Sequence, residues 1–213
     1  MRMRNPKDKD EVIENCKFLI TDTINFKDNE KPLHIEIGMG KGNFILNKAL
    51  SNPNINFIGI EKYSSVASIA IKKIQEYDLD NLKVIINDVS YLEDLLFNKV
   101  DVIYLNFSDP WPKDRHAKRR LTHEKFLKLY DKFFKNDCTI YQKTDNDDLF
   151  SYSLDSLKNY GYKIEELSYD LHSEKIDNIK TEYEEKFSNQ GIKIKYLKAS
   201  KKNLHKKRIH VII

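Results

Sequence analysis

Leu33-His34-Ile35-Glu36-Ile37-Gly38-Met39-Gly40-Lys41-Gly42-Asn43 sets three of the chain's six glycines at alternate positions directly behind a short apolar run. Residues 33–37 have the content of a buried strand, 38–42 form a loop whose backbone can approach a ligand closely, and 43–50 read as a helix. Outward from this unit the same order recurs. Residues 56–60 read as a second strand ending at Glu61, 64–77 as a helix with apolar positions three and four apart, and 83–87 as a third strand ending at Asp88. A short helical connection near 91–97 leads to a strand over 100–105, a helix over 122–134 with Thr122 as its N-cap, and a fifth strand over 138–143. A helix over 147–160 stops at Gly161, and 162–169 and 192–199 supply two late strands.

This alternation predicts an α/β protein: a Rossmann-like, mostly parallel seven-stranded sheet with helices on both faces, binding its ligands at the carboxyl ends of the strands. Five acids fall at those ends. Glu36, two residues before Gly38, closes the first strand, and Glu61, Asp88, Asp109 and Asp145 follow the second to the fifth. Any one of them could equally cap the next helix; their repetition at successive strand ends favours a shared site.

The 213 residues suffice for one substantial core, and no stretch resembles a dividing linker. A single domain over 1–202 is expected, with an N-terminal arm and helix in 1–30 and a basic tail over 203–213. No run approaches the roughly 18 to 20 apolar residues needed to span a bilayer, so a membrane protein is not expected. Acids at 8, 10, 11 and 14 follow Arg2 and Arg4 with no apolar core between, which fits neither a signal nor a transit peptide, and a cytoplasmic protein is expected. Cys16 and Cys138 have neither metal spacing nor a disulfide framework and read as reduced packing thiols. His116, His123 and His172 lack the spacing of a ligand set, so no metal is expected.

The formal charge of +4 misleads as a sign of nucleic-acid binding, because residues 193–213 hold eight Lys or Arg and no acid. Without the five cations of 201–213 the balance turns slightly negative. The tail reads equally as a phosphate-binding arm, a solvated extension or a remnant foreign to the protein. A local cluster has to carry the argument.

The glycine loop and Glu61, 19 residues beyond Gly42, would suit a dinucleotide, with the acid on ribose hydroxyls. The dinucleotide fingerprint needs a glycine at position 43, where this chain has Asn43. Glu36 stands two residues before the first glycine instead. A pyrophosphate avoids a nearby carboxylate, whereas S-adenosylmethionine carries an ammonium and a sulfonium that carboxylates stabilise. The spacing Glu36-x-Gly38-x-Gly40-x-Gly42 therefore favours that cofactor, with Asp88 placed to accept from the adenine amine.

Asn106-Phe107-Ser108-Asp109-Pro110-Trp111-Pro112-Lys113 carries the only Trp and two of the five prolines directly behind the strand 100–105. Prolines there end the ladder in a stiff loop. Lys113, Arg115, Lys118, Arg119 and Arg120 then put five cations within eight residues, beside an acid and an indole. That combination suits an anionic polymer carrying a flat base. Trp111 could stack on the base or only wedge the loop.

With these motifs, Arg115-His116-Ala117-Lys118-Arg119-Arg120-Leu121, Lys143-Thr144-Asp145-Asn146 and Thr181-Glu182-Tyr183-Glu184-Glu185-Lys186-Phe187, the chain closely resembles the bacterial tRNA (guanine-N7-)-methyltransferases from Met1 to about Ala199. The resemblance implies a class I S-adenosylmethionine-dependent methyltransferase acting on N7 of the variable-loop guanine, position 46 in tRNA numbering. It implies cofactor contacts at Glu36, Gly38, Gly40, Glu61, Asp88 and Asp109, and a substrate site at Lys113, Asp145, Thr181, Glu182, Tyr183 and Glu184. Arg115, Lys118, Arg119 and Arg120 would meet the RNA backbone. It implies no obligatory protein partner, whether the enzyme is a monomer or a homodimer. Two departures stand out: Asn5-Pro6-Lys7-Asp8 replaces the family's usual Lys-Pro-Trp-Ala phrase, and the likeness lapses after about Lys202.

Guanine N7 has a free lone pair and needs no general base, so placement is the main task. The base presents N1–H and an exocyclic amine, both donors, for which a carboxylate is the natural clamp. Asp145 is the first choice, with Asp109 or Glu182 in reserve; Asp109 and Asp145 are the expected catalytic pair. A carboxylate there also opposes the positive charge the base acquires. Residues alone would read Thr181 to Glu184 as an ordinary turn into a strand. A methyltransferase for a small molecule or protein, and an RNA-binding protein with a vestigial pocket, are the rival classes.

Overall fold

The computed structural model describes residues 6–28 and 30–203. The Met1 to Arg4 phrase and the tail beyond Asn203 lie outside the described residues. Period-two burial explains the centre of the fold. In β1 (Leu33–Ile37), Leu33, Ile35 and Ile37 enter one core, and the residues between them turn to the opposite face. In β4 (Val100–Asn106) Ile103 and Leu105 join that first core, while Val102 and Tyr104 face the second.

Among the described residues seven strands run in the order β3-β2-β1-β4-β5-β7-β6. β2 (Asn56–Glu61), β3 (Leu82–Ile86), β4 and β5 (Phe134–Thr144) pair in parallel around β1, and β7 (Lys195–Lys201) runs antiparallel between β5 and β6 (Lys163–Ser168). The sheet is mostly parallel, as the alternation predicts, with one antiparallel hairpin at the end.

On one face α2 (Asn43–Ser51) and α3 (Ser64–Ile74) bury Phe44, Ile45, Leu46, Ala67, Ala70 and Ile71. The other face is covered by α4 (Glu93–Leu96), α5 (Glu124–Phe133) and α6 (Asp147–Asn159), through Leu96, Leu127, Tyr130, Phe150 and Leu154. α1 (Lys9–Glu14) lies on α3, joined by the Asp8–Lys72 ion pair. The segment behind it reaches the free edge of β3, where the Ile20 N–H donates to the Val84 carbonyl at 2.8 Å. Among the described residues no helix is long and apolar enough to cross a membrane.

Several bounds differ from the sequence expectation, with α3 ending at Ile74 rather than 77 and β7 spanning 195–201 rather than 192–199, and three differences have a local cause. α5 begins at Glu124, not Thr122: the His123 ring accepts from the Lys125 N–H, and the Thr122 hydroxyl is diverted to Ser153 at 2.8 Å. β5 starts directly behind α5 at Phe134 rather than at Cys138, because Phe134 already pairs with Val100, and the register shifts across the polar residues 135–137 before Thr139 meets Val102. Thr181 to Glu184 opens a helix, α7 (Glu182–Ser188), instead of turning into a strand.

Candidate active site

The strand order reverses between β1 and β4, the place where a doubly wound sheet opens a crevice at its carboxyl edge. The glycine loop lies there, pinned to β2 by the Gly38 and Met39 N–H groups on the Ile60 carbonyl at 2.8 and 3.0 Å. Gly40 (φ 58°) and Gly42 (φ 80°) adopt left-handed backbone. At Gly42 a side chain is doubly barred, since an added Cβ would sit 3.0 Å from the Ala70 Cβ on α3.

Glu36 is 1% exposed. Its Oε1 accepts from the Asn106 side-chain amide at 2.8 Å, and its Oε2 has no partner among the described residues. Burial pushes its pKa up to about 8, against the pull of Asn106 and Lys143. Glu61 accepts from the Gly40 N–H at 3.2 Å and the Tyr63 N–H at 3.0 Å, so it shapes the glycine loop as well as facing the crevice. Burial also raises its pKa. Asp88 caps the turn after β3 by accepting from the Ser90 N–H at 2.9 Å, and the Lys62 ammonium lies 3.8 Å away. Burial opposes its charge, but Ser90 and Lys62 outweigh burial and hold the carboxyl below its usual value.

Glu61 and Asp88 line a cavity of about 500 Å³. Ile37, Ile60, Val89 and Phe126 form apolar walls, Glu61, Asp88 and Asp109 its acids, and Lys62, Lys118, Arg119 and Lys125 its cationic rim. A second hollow of about 1140 Å³ holds Glu36, Gly40, Thr181, Glu182 and Tyr183. The two share Gly38, Tyr63, Val66 and Phe107 and form one continuous cleft.

Phe107 stands where they join, in left-handed backbone at φ 49°. Its N–H is held by the Lys143 carbonyl at 2.8 Å and its ring lies 5.0 Å from that of Tyr183. Trp111 (φ 44°) is clasped by the Arg119 guanidinium 4.8 Å over its ring and by His116 edge-on.

On the far side, Asp145 accepts from the Tyr183 hydroxyl at 3.2 Å, and its backbone carbonyl accepts from Lys195 at 2.9 Å. Tyr183 sits in the first turn of α7, whose N-terminus carries a complete capping box between Thr181 and Glu184. Glu182 pairs with Lys73 of α3.

The structure therefore gathers Glu36, Gly38, Gly40, Glu61, Asp88, Asp109, Thr181, Glu182 and Tyr183 around one cleft, with Asp145 tied to it through Tyr183. Two expected contacts are placed elsewhere. Glu184 is fully buried and pairs with Lys143 at 2.5 Å, so it does not face a substrate. Arg120 is 7% exposed and donates to the Pro110 and Trp111 carbonyls at 3.1 Å, bracing the loop from inside. Arg115, Lys118 and Arg119 are exposed; Lys113 is exposed too but lines neither cavity. Asn106 and Phe107, which the sequence marks only as the start of the proline loop, and Tyr63, which carries no sequence expectation, also line the cleft. The Asn at a strand end was the one available signal, since a buried carboxylate in the neighbouring strand requires a donor. Among the described residues no cluster of three or more His, Cys, Asp or Glu is placed to hold a metal.

Residues 30–197 match a family described as putative methyltransferase. Among curated proteins, a tRNA (guanine-N(7)-)-methyltransferase of Lachnoclostridium phytofermentans is 49% identical over 90% of this chain and 94% of its own. Those of Bacillus cytotoxicus and Macrococcus caseolyticus are 47% and 44% identical over 91% and 93% of this chain, and 94% and 99% of theirs. Among solved structures, an antibiotic-related methyltransferase superposes with a TM-score of 0.61 at 21% identity, covering 91% of this chain and 94% of that one. The 16S rRNA methyltransferase KamB gives 0.61 at 12%, covering 84% and 95%. At those identities the likeness speaks for the fold alone, a Rossmann-like methyltransferase sheet.

Proposed function

The chain belongs to the tRNA (guanine-N(7)-)-methyltransferase family, and from that premise we propose that it methylates N7 of the variable-loop guanine of tRNA with S-adenosylmethionine, forming 7-methylguanosine. The observation that carries the reading is the two-part cleft meeting at Phe107, acidic on the glycine-loop side and bordered on the other by Asp145 and Tyr183.

The residues suit the cofactor. The unpartnered Oε2 of Glu36 is a buried acceptor awaiting a cationic donor, beside a loop where Gly38 and Gly40 leave open space. Glu36 with that loop would hold the amino-acid end, Glu61 the ribose hydroxyls, Asp88 the adenine amine, and Asp109 the rim. When bound, S-adenosylmethionine supplies an electrophilic methyl group.

The chain's own residues supply placement. Asp145 accepts from the Watson–Crick edge of the base while Tyr183 fixes the direction of its carboxylate; a carboxylate can accept about four hydrogen bonds, so the Tyr183 contact leaves room for the base. Its negative charge also opposes the positive charge that guanine acquires. The apolar ring of Phe107 excludes water where the two halves meet. Lys118 and Arg119 border the acidic cavity and, with the exposed Arg115 close by in sequence, meet the RNA backbone.

Incubation of the protein with unmodified tRNA and methyl-labelled cofactor, followed by digestion, tests the reading. Label is expected in 7-methylguanosine from the variable loop and lost when that guanine is replaced. Label in another nucleoside, or none, overturns it. A small-molecule enzyme would be indifferent to tRNA, and a pure RNA binder would leave the cofactor untouched.

A further inference from the structure

We propose that Lys143 is a positioning residue of the methyl-accepting half of the cleft: from inside the protein it holds the strap 178–184, and through it the Tyr183 hydroxyl, against Asp145. The inference rests on the reading of Asp145 as the base clamp.

Lys143 is the penultimate residue of β5, and its side chain is 4% exposed. By strand alternation it shares the α2 face with Tyr141, and its ammonium lies 4.9 Å from the Phe44 ring centroid. An ammonium has three protons to place. All three go to one segment: to the Asn178 side-chain oxygen at 3.0 Å, the Ile179 carbonyl at 2.9 Å and Glu184 Oε2 at 2.5 Å. Glu184 is in turn held on its other oxygen by Asn178 and His172. Burial draws the Lys143 pKa down, with Glu184 and Glu36 opposing it.

An apolar pair would hold the two elements together at least as well, since a buried ion pair carries a desolvation cost that its attraction scarcely offsets. What the charged arrangement adds is direction. Three bonds to three points fix both the position and the rotation of the first turn of α7. Glu184 directly follows Tyr183, so fixing one sets the heading of the other, and the Tyr183 ring is braced by Phe107 and by Phe187 at 4.1 Å. Asp145 lies only two residues beyond Lys143 on the same strand end. One residue thus ties together both partners of the Tyr183–Asp145 contact.

The test is a double-mutant cycle of Lys143→Met and Tyr183→Phe, reading kcat for tRNA methylation at saturating cofactor, so that any change in cofactor affinity through Glu36 drops out. Lys143→Met is expected to lower kcat about 30-fold and Tyr183→Phe about 10-fold, with the double variant within about twofold of Lys143→Met, since coupled residues are not additive. Multiplying losses, or a Lys143→Met kcat within about threefold of wild type, would overturn the proposal. Should Lys143→Met fail to fold with Glu184 left unpaired, Lys143→Met/Glu184→Gln takes its place with the same expected values. Amide exchange across 178–188 in the protein alone gives a readout independent of the reaction: it is expected to quicken in the Lys143 variant, and unchanged protection overturns the tether. Failure of wild-type protein to form 7-methylguanosine would instead sink the functional reading, leaving that exchange result to decide the tether.

Discussion

Glu36 combines burial, one hydrogen bond and one empty acceptor, and that combination makes its protonation part of binding. With its pKa near 8 the carboxyl of the free protein is mostly protonated at neutral pH. Because the folded-state value is raised, the folded chain binds this proton more tightly than the unfolded chain. The resulting stabilisation is full below the unfolded value near 4.5 and is lost as pH rises through about 8. A cationic ligand reverses the balance by favouring the anion. Cofactor binding at pH 7 is therefore expected to release close to one proton, measured by calorimetry in buffers of different ionisation enthalpy. Affinity should climb by up to about tenfold per pH unit and level off above about pH 8. Glu36→Gln should remove the proton release. The acids of the two halves should separate in kinetics. Glu61→Ala, which also frees the Gly40 and Tyr63 N–H groups, is expected to weaken cofactor binding by about 10- to 100-fold while kcat at saturation changes little; Asp145→Ala should abolish turnover and spare cofactor affinity. Calorimetry and steady-state rates on both variants would expose a swapped assignment.

At the scale of elements, the glycine loop works only because α3 packs tightly against it. Gly42→Ala meets both a left-handed φ and the Ala70 Cβ, so a loss of about 1–3 kcal/mol in chemical denaturation is expected, with weaker cofactor binding. The strand–loop–helix unit around Glu36 was legible because its signals are local: apolar alternation, three glycines, an acid at each strand end. α7 was legible only at its start, where Thr181-x-x-Glu184 and three acids in the first turn are helix-opening signals that a reading as a turn overlooks; its seven residues are too few to show an apolar period, and the side chain that stabilises Glu184 comes from Lys143, 41 residues away. The start of α5 misled for a related reason, since Thr122 gives its hydroxyl to Ser153 on α6 and leaves the cap to His123. Short-range capping signals fail where a distant partner competes for the same oxygen.

For the whole molecule, the cations of 113–120 form one cluster in sequence, and folding divides them. Arg115, Lys118 and Arg119 stay in solvent, whereas Arg120 turns inward to the Pro110 and Trp111 carbonyls and lies 4.3 Å over the Tyr152 ring. Arg115→Ala and Arg119→Ala should each weaken tRNA binding and reduce the log–log salt slope by about 1. Arg120→Ala should instead leave the slope unchanged and lower the melting temperature, through the loss of about 1–3 kcal/mol of buried hydrogen bonding. Filter binding over a salt series, with thermal denaturation of the same variants, distinguishes the two behaviours.

β7 enters the sheet last in the chain yet lies between β5 and β6, and its Lys195 holds the Asp145 carbonyl. Until that strand is made, one edge of β5 has no partner and the Asp145 carbonyl lacks its Lys195 donor, so the proposed base clamp is the last part of the cleft to be completed. A chain ending before residue 195 would lack a finished place for the acceptor, so competence for transfer is expected only once the final strand is in the sheet.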